Sequence, residues 1–315
     1  MQPQSSSARG VTTSVTASFL FGFLYFYATL LTPLTGMEIF GWRMLWTLPF
    51  LTAFMVKAGY WHLVTEIWNR ACRKPLLFPV LLLSSFLLGV QFWLFLWAPV
   101  NGKALEVSLG YLLMPLVMVV CGRVFYKEHL LPYQKIAVFF AVLGVANQAY
   151  RLGGFSWEVM LVALGFPAYF TLRRKLQTES LGGLWLDMLC MLPAACYFLH
   201  TGDAGLTVFG EHPVMYAKIP LLGAISALAV ALYITASKLL PMGLFGLLSY
   251  VEPSLLVCVS LLLGDRMTPG EELTYTGVGL AVMTLVYGGF RHFKAEHARA
   301  AKTAPASPGN KKSHG

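Results

Sequence analysis

The run LLFPVLLLSSFLLGVQFWLFLWA, from Leu76 to Ala98, holds 23 residues and no charge. At about 1.5 Å of rise per residue, a helix of that length reaches across the roughly 30 Å hydrocarbon core of a bilayer. The rest of the 315-residue chain has the same character. It is 57% hydrophobic and 12% charged, with a mean hydropathy of +0.65. A soluble chain carries about 25% charged residues. Half that charge cannot cover a water-facing surface, so most of the surface must face lipid.

Ten such runs are expected as spans: 12–31, 36–56, 76–98, 104–124, 133–150, 156–172, 182–200, 218–237, 243–263 and 272–290. The stretch Lys57 to Pro75 reads as a polar loop, and His200 to Ala217 as a mildly acidic one. No connection is long enough for a soluble domain. The fold class is therefore all-α integral membrane. Residues 1–11 form a cytoplasmic N-terminal tail and 291–315 a basic, disordered cytoplasmic tail.

Charge tests this topology. With the N-terminus inside, 18 of the 23 Lys and Arg residues fall on the cytoplasmic side. Only Arg43, Lys103, Arg151, Lys218 and Arg266 do not. Cytoplasmic loops of membrane proteins carry such an excess, so both termini are expected inside. The same placement explains the net charge of +9 without nucleic acid as a partner.

Each half of the chain carries one ordered pattern. Ser108, Tyr111, Pro115, Glu128 and Pro132 in the first half are matched by Ser249, Tyr250, Pro253, Asp265 and Pro269 in the second. Acid and following proline are four residues apart in both. Five spans per half is an odd number, so residues 12–150 and 151–290 would form two inverted repeats. Secondary transporters are commonly built this way, with the solute site near the midplane.

The segment Gly89-Val-Gln91-Phe-Trp93-Leu-Phe-Leu-Trp97-Ala-Pro-Val-Asn101-Gly-Lys-Ala-Leu-Glu106-Val-Ser108-Leu-Gly110-Tyr111 resembles the third-to-fourth-helix signature of RarD-type permeases, in the EamA family of the drug/metabolite transporter superfamily. Glu38, Ile39, Arg43 and Trp46 add to the resemblance, as do Tyr169 with Arg173-Arg174-Lys175 and Tyr250 with Pro253. It covers most of residues 11–290. The chain departs from the group at Met114, which precedes Pro115, at Gln91, and at Glu252 before Pro253, where an acid is unusual. The resemblance implies a ten-helix inverted-repeat carrier of small organic molecules.

Ionisable groups inside a span cost about 2.5–3.5 kcal/mol on insertion scales, so they should face a cavity or a partner. Arg43 in span two and Glu252 in span nine are the expected intramembrane charges, with Asp187 in span seven as a third. Glu252 precedes Pro253, whose missing N–H weakens the helix at residue 249. A carboxylate beside such a break suits proton coupling; a structural ion pair with Arg43 is the plainer alternative. Gln91, Trp93, Glu106, Tyr111 and Tyr250 are the expected substrate-binding residues, giving apolar walls with a few hydrogen-bonding groups. Packing and interfacial roles stay open for the aromatics, and helix N-terminal charge for Glu38 and Glu106. Prolines 99, 115, 167, 193, 220 and 253 are expected kinks or hinges.

Five cysteines lack zinc or redox spacing, and the P-loop, H-E-x-x-H, CxxC and G-x-S-x-G motifs are absent. No enzyme, cofactor, metal or catalytic residue is expected. The expected function is secondary transport of a small organic solute in a bacterial inner membrane, as an exporter or antiporter with protons as the coupling ion. The partners are the solute, protons and the lipid bilayer, and the chain acts as a monomer or a homodimer. An uncoupled facilitator or exchanger is the alternative, and an intramembrane lipid-modifying enzyme the alternative from another class.

Overall fold

A computed structural model describes residues 3–100, 103–205, 207–255 and 270–303, and every regular element among them is helical. The helices are α1 (Pro3–Thr29), α2 (Gly36–Lys57), α3 (His62–Arg73), α4 (Leu77–Val100), α5 (Ala104–Tyr126), α6 (Pro132–Arg151), α7 (Trp157–Lys175), α8 (Leu181–Thr201), α9 (Val208–Glu211), α10 (Met215–Leu239), α11 (Met242–Leu248) and α12 (Glu271–Thr303). Among the described residues, six segments are long and apolar enough to cross a membrane: Arg9–Thr29, Gly36–Lys57, Leu77–Leu94, Glu106–Tyr126, Leu181–Thr201 and Met215–Leu239. The chain is a multi-pass integral membrane protein.

Local chemistry sets the helix ends. Thr35 opens α2 with a capping box: its hydroxyl accepts from the Glu38 N–H, and the Glu38 carboxylate accepts from the Thr35 N–H at 2.7 Å. Pro132 begins α6, where its missing N–H costs nothing, and Gln134 accepts from the Leu131 N–H at 2.8 Å. Ser180 caps α8 by accepting from the Gly183 N–H.

The α1–α10 pair runs antiparallel, whereas α5 and α7 run parallel, with Gly110 against Val159 and Val162. Gly10 of α1 lies against Leu239 and Leu240 at the end of α10, while Tyr27 and Leu30 at the other end of α1 bond Lys218 near the start of α10. In α6 and α12, Gly144 meets Thr274 and Gly288 meets Tyr133, so these two also run antiparallel. The most extensive contacts join α6 with α12, α1 with α10, α5 with α7, α2 with α8, α2 with α10 and α5 with α11, followed by α4 with α7 and with α8. Basic residues crowd one end of the bundle, where α2, α5, α7 and α10 finish: Lys57, Arg123, Lys127, Arg173–Lys175 and Lys238.

Four features differ from the sequence expectation. The stretch Lys57 to Pro75 contains α3, too short to span at about 18 Å. Its Val64, Ile67 and Ala71 share one face and are buried, with Ile67 and Ala71 joining Leu81 and Leu186. That spacing is the amphipathic pattern of a surface helix, hidden in the sequence by the charges around it. A second short helix, α9, lies in the loop after α8. The last helix runs through the basic residues to Thr303 rather than ending at 290, and α1 begins at Pro3. In span nine the weakening expected at residue 249 is present: α11 stops at Leu248, Ser249 and Tyr250 form a turn, and helix resumes at Val251. Trp97 and Pro99 have side chains outside the description, and Cys258, Asp265, Arg266 and Pro269 lie outside the described residues. Prolines 115, 167, 193 and 220 sit inside unbroken helices.

Candidate substrate cavity

The interruption in span nine follows from Pro253. An uninterrupted α-helix would send an N–H from residue 253 to the carbonyl of Ser249, and proline has none. The chain tightens instead: the Glu252 N–H donates to the Ser249 carbonyl at 3.3 Å, and the Tyr250 N–H to the Leu247 carbonyl at 3.3 Å. These three-residue spacings are a 3₁₀-like turn. The Ser249 hydroxyl donates to the Gly246 carbonyl at 2.6 Å. The turn presents Glu252 toward the inside of the bundle.

Four polar side chains gather there from four helical segments. Arg43 comes from α2, Tyr111 from α5, Tyr233 from α10, and Glu252 from the segment after α11. The Glu252 carboxylate interacts electrostatically with Arg43, Tyr111 and Tyr233, and Tyr111 with Arg43. All four lie deep in the bundle, yet each keeps accessible surface. They form one polar cluster inside the bundle.

Arg43 is held in place from three directions. Its Nε donates to the Ser226 hydroxyl of α10 at 2.8 Å, and its guanidinium stands 6.0 Å from the Phe21 ring centre and 5.8 Å from that of Phe92. Cations are attracted to aromatic faces at such distances. The α2–α10 contact that sets this geometry needs Gly223: a Cβ there would stand 2.7 Å from the Trp46 carbonyl carbon and 3.0 Å from its Cα. Among the described residues, ion pairs join Lys103 with Glu106, Arg151 with Glu271, Arg173 with Asp187, and Arg174 with Glu128 and Glu179. Arg43 and Glu252 belong to none of them, so the two charges are not in direct contact. Aromatic rings pack around the cluster: Tyr111 lies 5.9 Å from Phe166, and Tyr233 4.8 Å from Phe245 and 5.7 Å from Phe21.

The other sequence-predicted residues lie elsewhere. Asp187 is fully buried between α4, α7 and α8, accepting from Ser85 at 2.7 Å, Ser84 at 3.3 Å, Tyr169 at 2.8 Å and Arg173 at 2.8 Å. Tyr250 is also fully buried, in the cluster of Leu112, Val145 and Val278, and its hydroxyl donates to the Leu112 carbonyl at 2.8 Å. Gln91 lies over Gly165, its Nε2 donating to the Leu161 carbonyl at 3.0 Å and joining α4 to α7. Trp93 packs with Leu94, Val107 and Val162. Glu106 pairs with Lys103 at 2.9 Å at the far end of α5, and its hydrogen bond raises the Lys103 pKa above the ordinary lysine value. Glu38, also buried, accepts from the Ala204 and Gly205 N–H groups at 2.8 and 2.6 Å, which ties the start of α2 to the end of α8.

Sequence reasoning missed Ser226 and Tyr233. They are seven residues apart in an otherwise apolar run, two turns along one helix face. That spacing was the available signal.

A many-helix membrane bundle with a polar cluster inside it fits the transporter class, and the comparisons with known proteins assign that class. The profile of the EamA-like transporter family matches residues 8–147. An uncharacterized transporter of Haemophilus influenzae is 41% identical over 91% of this chain and 97% of its own length. The chloramphenicol-sensitive protein RarD of Pseudomonas aeruginosa is 42% identical over 88% of this chain and 93% of its own length. A solved crystal structure at 17% identity superposes with a TM-score of 0.59, covering 90% of this chain and 98% of the other. The chain belongs to the EamA family: it is a membrane transporter of the inner membrane, not an enzyme, and its partner is a small-molecule solute.

Proposed function

We propose that this protein is a proton-coupled secondary transporter that exports a small organic solute by alternating access, with the Arg43–Glu252 cavity as its solute and coupling site. The observation that carries the reading is the separation of those two charges. A purely structural pair would close on itself, because unpaired charges at depth are costly. Two opposite charges held apart across an aromatic-walled space leave room for a ligand between them. Such a ligand would carry an apolar body and a group for the guanidinium, while Glu252 alternates between binding a proton and binding the solute or Arg43.

Packing supports an inverted repeat of ten spans. Exchange α1, α2, α4, α5 and α6 with α7, α8, α10, α11 and α12 in that order. The pairs α2–α8, α5–α11 and α6–α12 then map onto themselves. The pair α1–α10 maps onto α4–α7, α2–α10 onto α4–α8, and α5–α7 onto α1–α11. A pseudo-two-fold of this kind lets one bundle rock against the other around a fixed site. The break at Ser249–Tyr250 fits the discontinuous helices of such carriers. The crowding of basic residues supports assigning that end to the cytoplasm, with both termini inside. In this reading Tyr111 lines the site, Tyr250, Gln91 and Trp93 position the helices that form it, and Asp187 and Glu106 hold its two ends.

The test is solute-driven proton movement in proteoliposomes over a panel of amphenicols, amino acids and other small metabolites, with Glu252→Gln beside the natural protein. Proton flux for one solute class in the natural protein, lost in the variant while solute binding persists, is the expected result. Solute exchange without proton flux in both proteins would make the protein an uncoupled facilitator or exchanger and return Glu252 to a structural role.

A further inference from the structure

Between the cavity and the basic end lie two stacked layers. The first is aromatic: Phe170 of α7, Tyr233 of α10 and Phe245 of α11 pack against one another with ring centres 4.8, 5.2 and 5.9 Å apart. Phe170 and Phe245 are buried, while Tyr233, which also belongs to the polar cluster, is half-buried. The second layer lies one turn further on and centres on Arg174. Its Nη2 donates to the Ser237 carbonyl at 2.5 Å and the Leu240 carbonyl at 3.3 Å, at the end of α10. Its Nε pairs with Glu179 at 3.0 Å, its Nη1 stands 3.9 Å from Glu128, and its guanidinium lies 5.2 Å over the Tyr126 ring.

Glu128 carries the connection onward. Its two oxygens accept from the Met242 and Gly243 N–H groups at 2.7 and 2.8 Å, the first residues of α11. The α11 segment holds Phe245 and leads through the Ser249–Tyr250 turn to Glu252. One arginine thus fastens α7 to the ends of α5 and α10 and, through Glu128, to the helix that bears the cavity carboxylate. About one-fifth of its side chain is exposed, so water reaches it from the basic end.

We infer that Arg174 is the latch of the cytoplasmic gate: its release from the Ser237 and Leu240 carbonyls frees α10 and α11 to separate the Phe170–Tyr233–Phe245 layer and open the cavity to the cytoplasm. This rests on the transport reading above and adds a positioning residue that lies outside the cavity. The geometry favours a latch over a static brace because Arg174 bonds the free carbonyl ends of α10. Water can take over those acceptors once they are exposed, so breaking the contacts leaves no buried group unpaired.

The test reads accessibility and needs no known solute. In a background with all five cysteines replaced, Tyr111→Cys places a thiol in the cavity. A charged, membrane-impermeant methanethiosulfonate reagent is then applied from the cytoplasmic face in inverted vesicles, and from the outer face in right-side-out vesicles. Adding Arg174→Gln is expected to speed labelling from the cytoplasmic face by at least about tenfold, since charge-assisted bonds are lost, with no gain from the outer face. Arg174→Lys should restore part of the protection through Glu179 and Glu128. A folded Arg174→Gln protein labelled at an unchanged cytoplasmic rate, or accelerated equally from both faces, overturns the latch. If Arg174→Gln does not fold, Glu179→Gln takes its place, and unchanged labelling there overturns it equally. A thiol labelled from neither face in any of these proteins sinks the cavity reading itself.

Discussion

Asp187 and Arg173 offer a double-mutant cycle whose outcome is set by the structure. Both side chains are almost wholly buried, with their closest atoms 2.8 Å apart. Asp187→Leu removes the partner of a buried guanidinium, which costs about 3–5 kcal/mol. Replacing both residues, as Arg173→Met with Asp187→Leu, removes the stranded charge. Ser84 and Ser85 keep their bonds to the Leu81 carbonyl at 2.8 and 3.1 Å. The Tyr169 hydroxyl alone then lacks its acceptor, a loss of about 1–3 kcal/mol. The double variant is therefore expected to be more stable than Asp187→Leu alone, by a coupling of a few kcal/mol. In detergent, the single variant should melt on the order of 5–10 °C below the natural protein, and the double variant should recover part of that. The assay is thermal unfolding followed by size-exclusion chromatography of fluorescently tagged protein. Strict additivity of the two single effects would refute the reasoning, because it would mean the two charges do not sense each other.

Two further predictions concern the site. Gly223→Ala must part α2 from α10 by about 1 Å, since carbon atoms prefer about 3.5–4.0 Å. It should cost about 1–3 kcal/mol of stability and weaken solute binding by stretching the 2.8 Å Arg43–Ser226 bond; an unchanged melting temperature would count against it, with Gly279→Ala, where a Cβ meets nothing within 4 Å, as the neutral control. Tyr250→Phe removes one buried hydrogen bond, so it should cost about 0.5–1.5 kcal/mol and leave solute affinity intact; lost affinity with normal stability would return that hydroxyl to the binding site.

The sequence by itself determined the solvent and the class. Runs such as Leu76–Ala98 admit only lipid around them, and the resemblance carried by Gly89–Tyr111 led to the EamA family. It also located Arg43 and Glu252, because a charge in an apolar run is conspicuous whatever surrounds it. The interruption beside Pro253 was legible for the same local reason: a missing N–H is a property of one residue.

Which polar groups meet was decided by the tertiary structure alone. Asp187 and Glu252 are both acids within spans, yet one accepts hydrogen bonds from four partners and the other lies in the looser group of Arg43, Tyr111 and Tyr233. The difference comes from Ser84, Ser85, Tyr169 and Arg173 on neighbouring helices, and no local pattern encodes it. Tyr111 and Tyr250 each precede a proline in an apolar run, yet Tyr250 is fully buried against Leu112, Val145 and Val278, while Tyr111 is half-buried beside Phe166. Arg174 looked like one member of a basic triplet that fixes orientation. Only when α7, α10 and α11 converge does its guanidinium meet the open carbonyl ends of α10, because helix termini expose their unpaired groups at positions set by packing rather than by sequence.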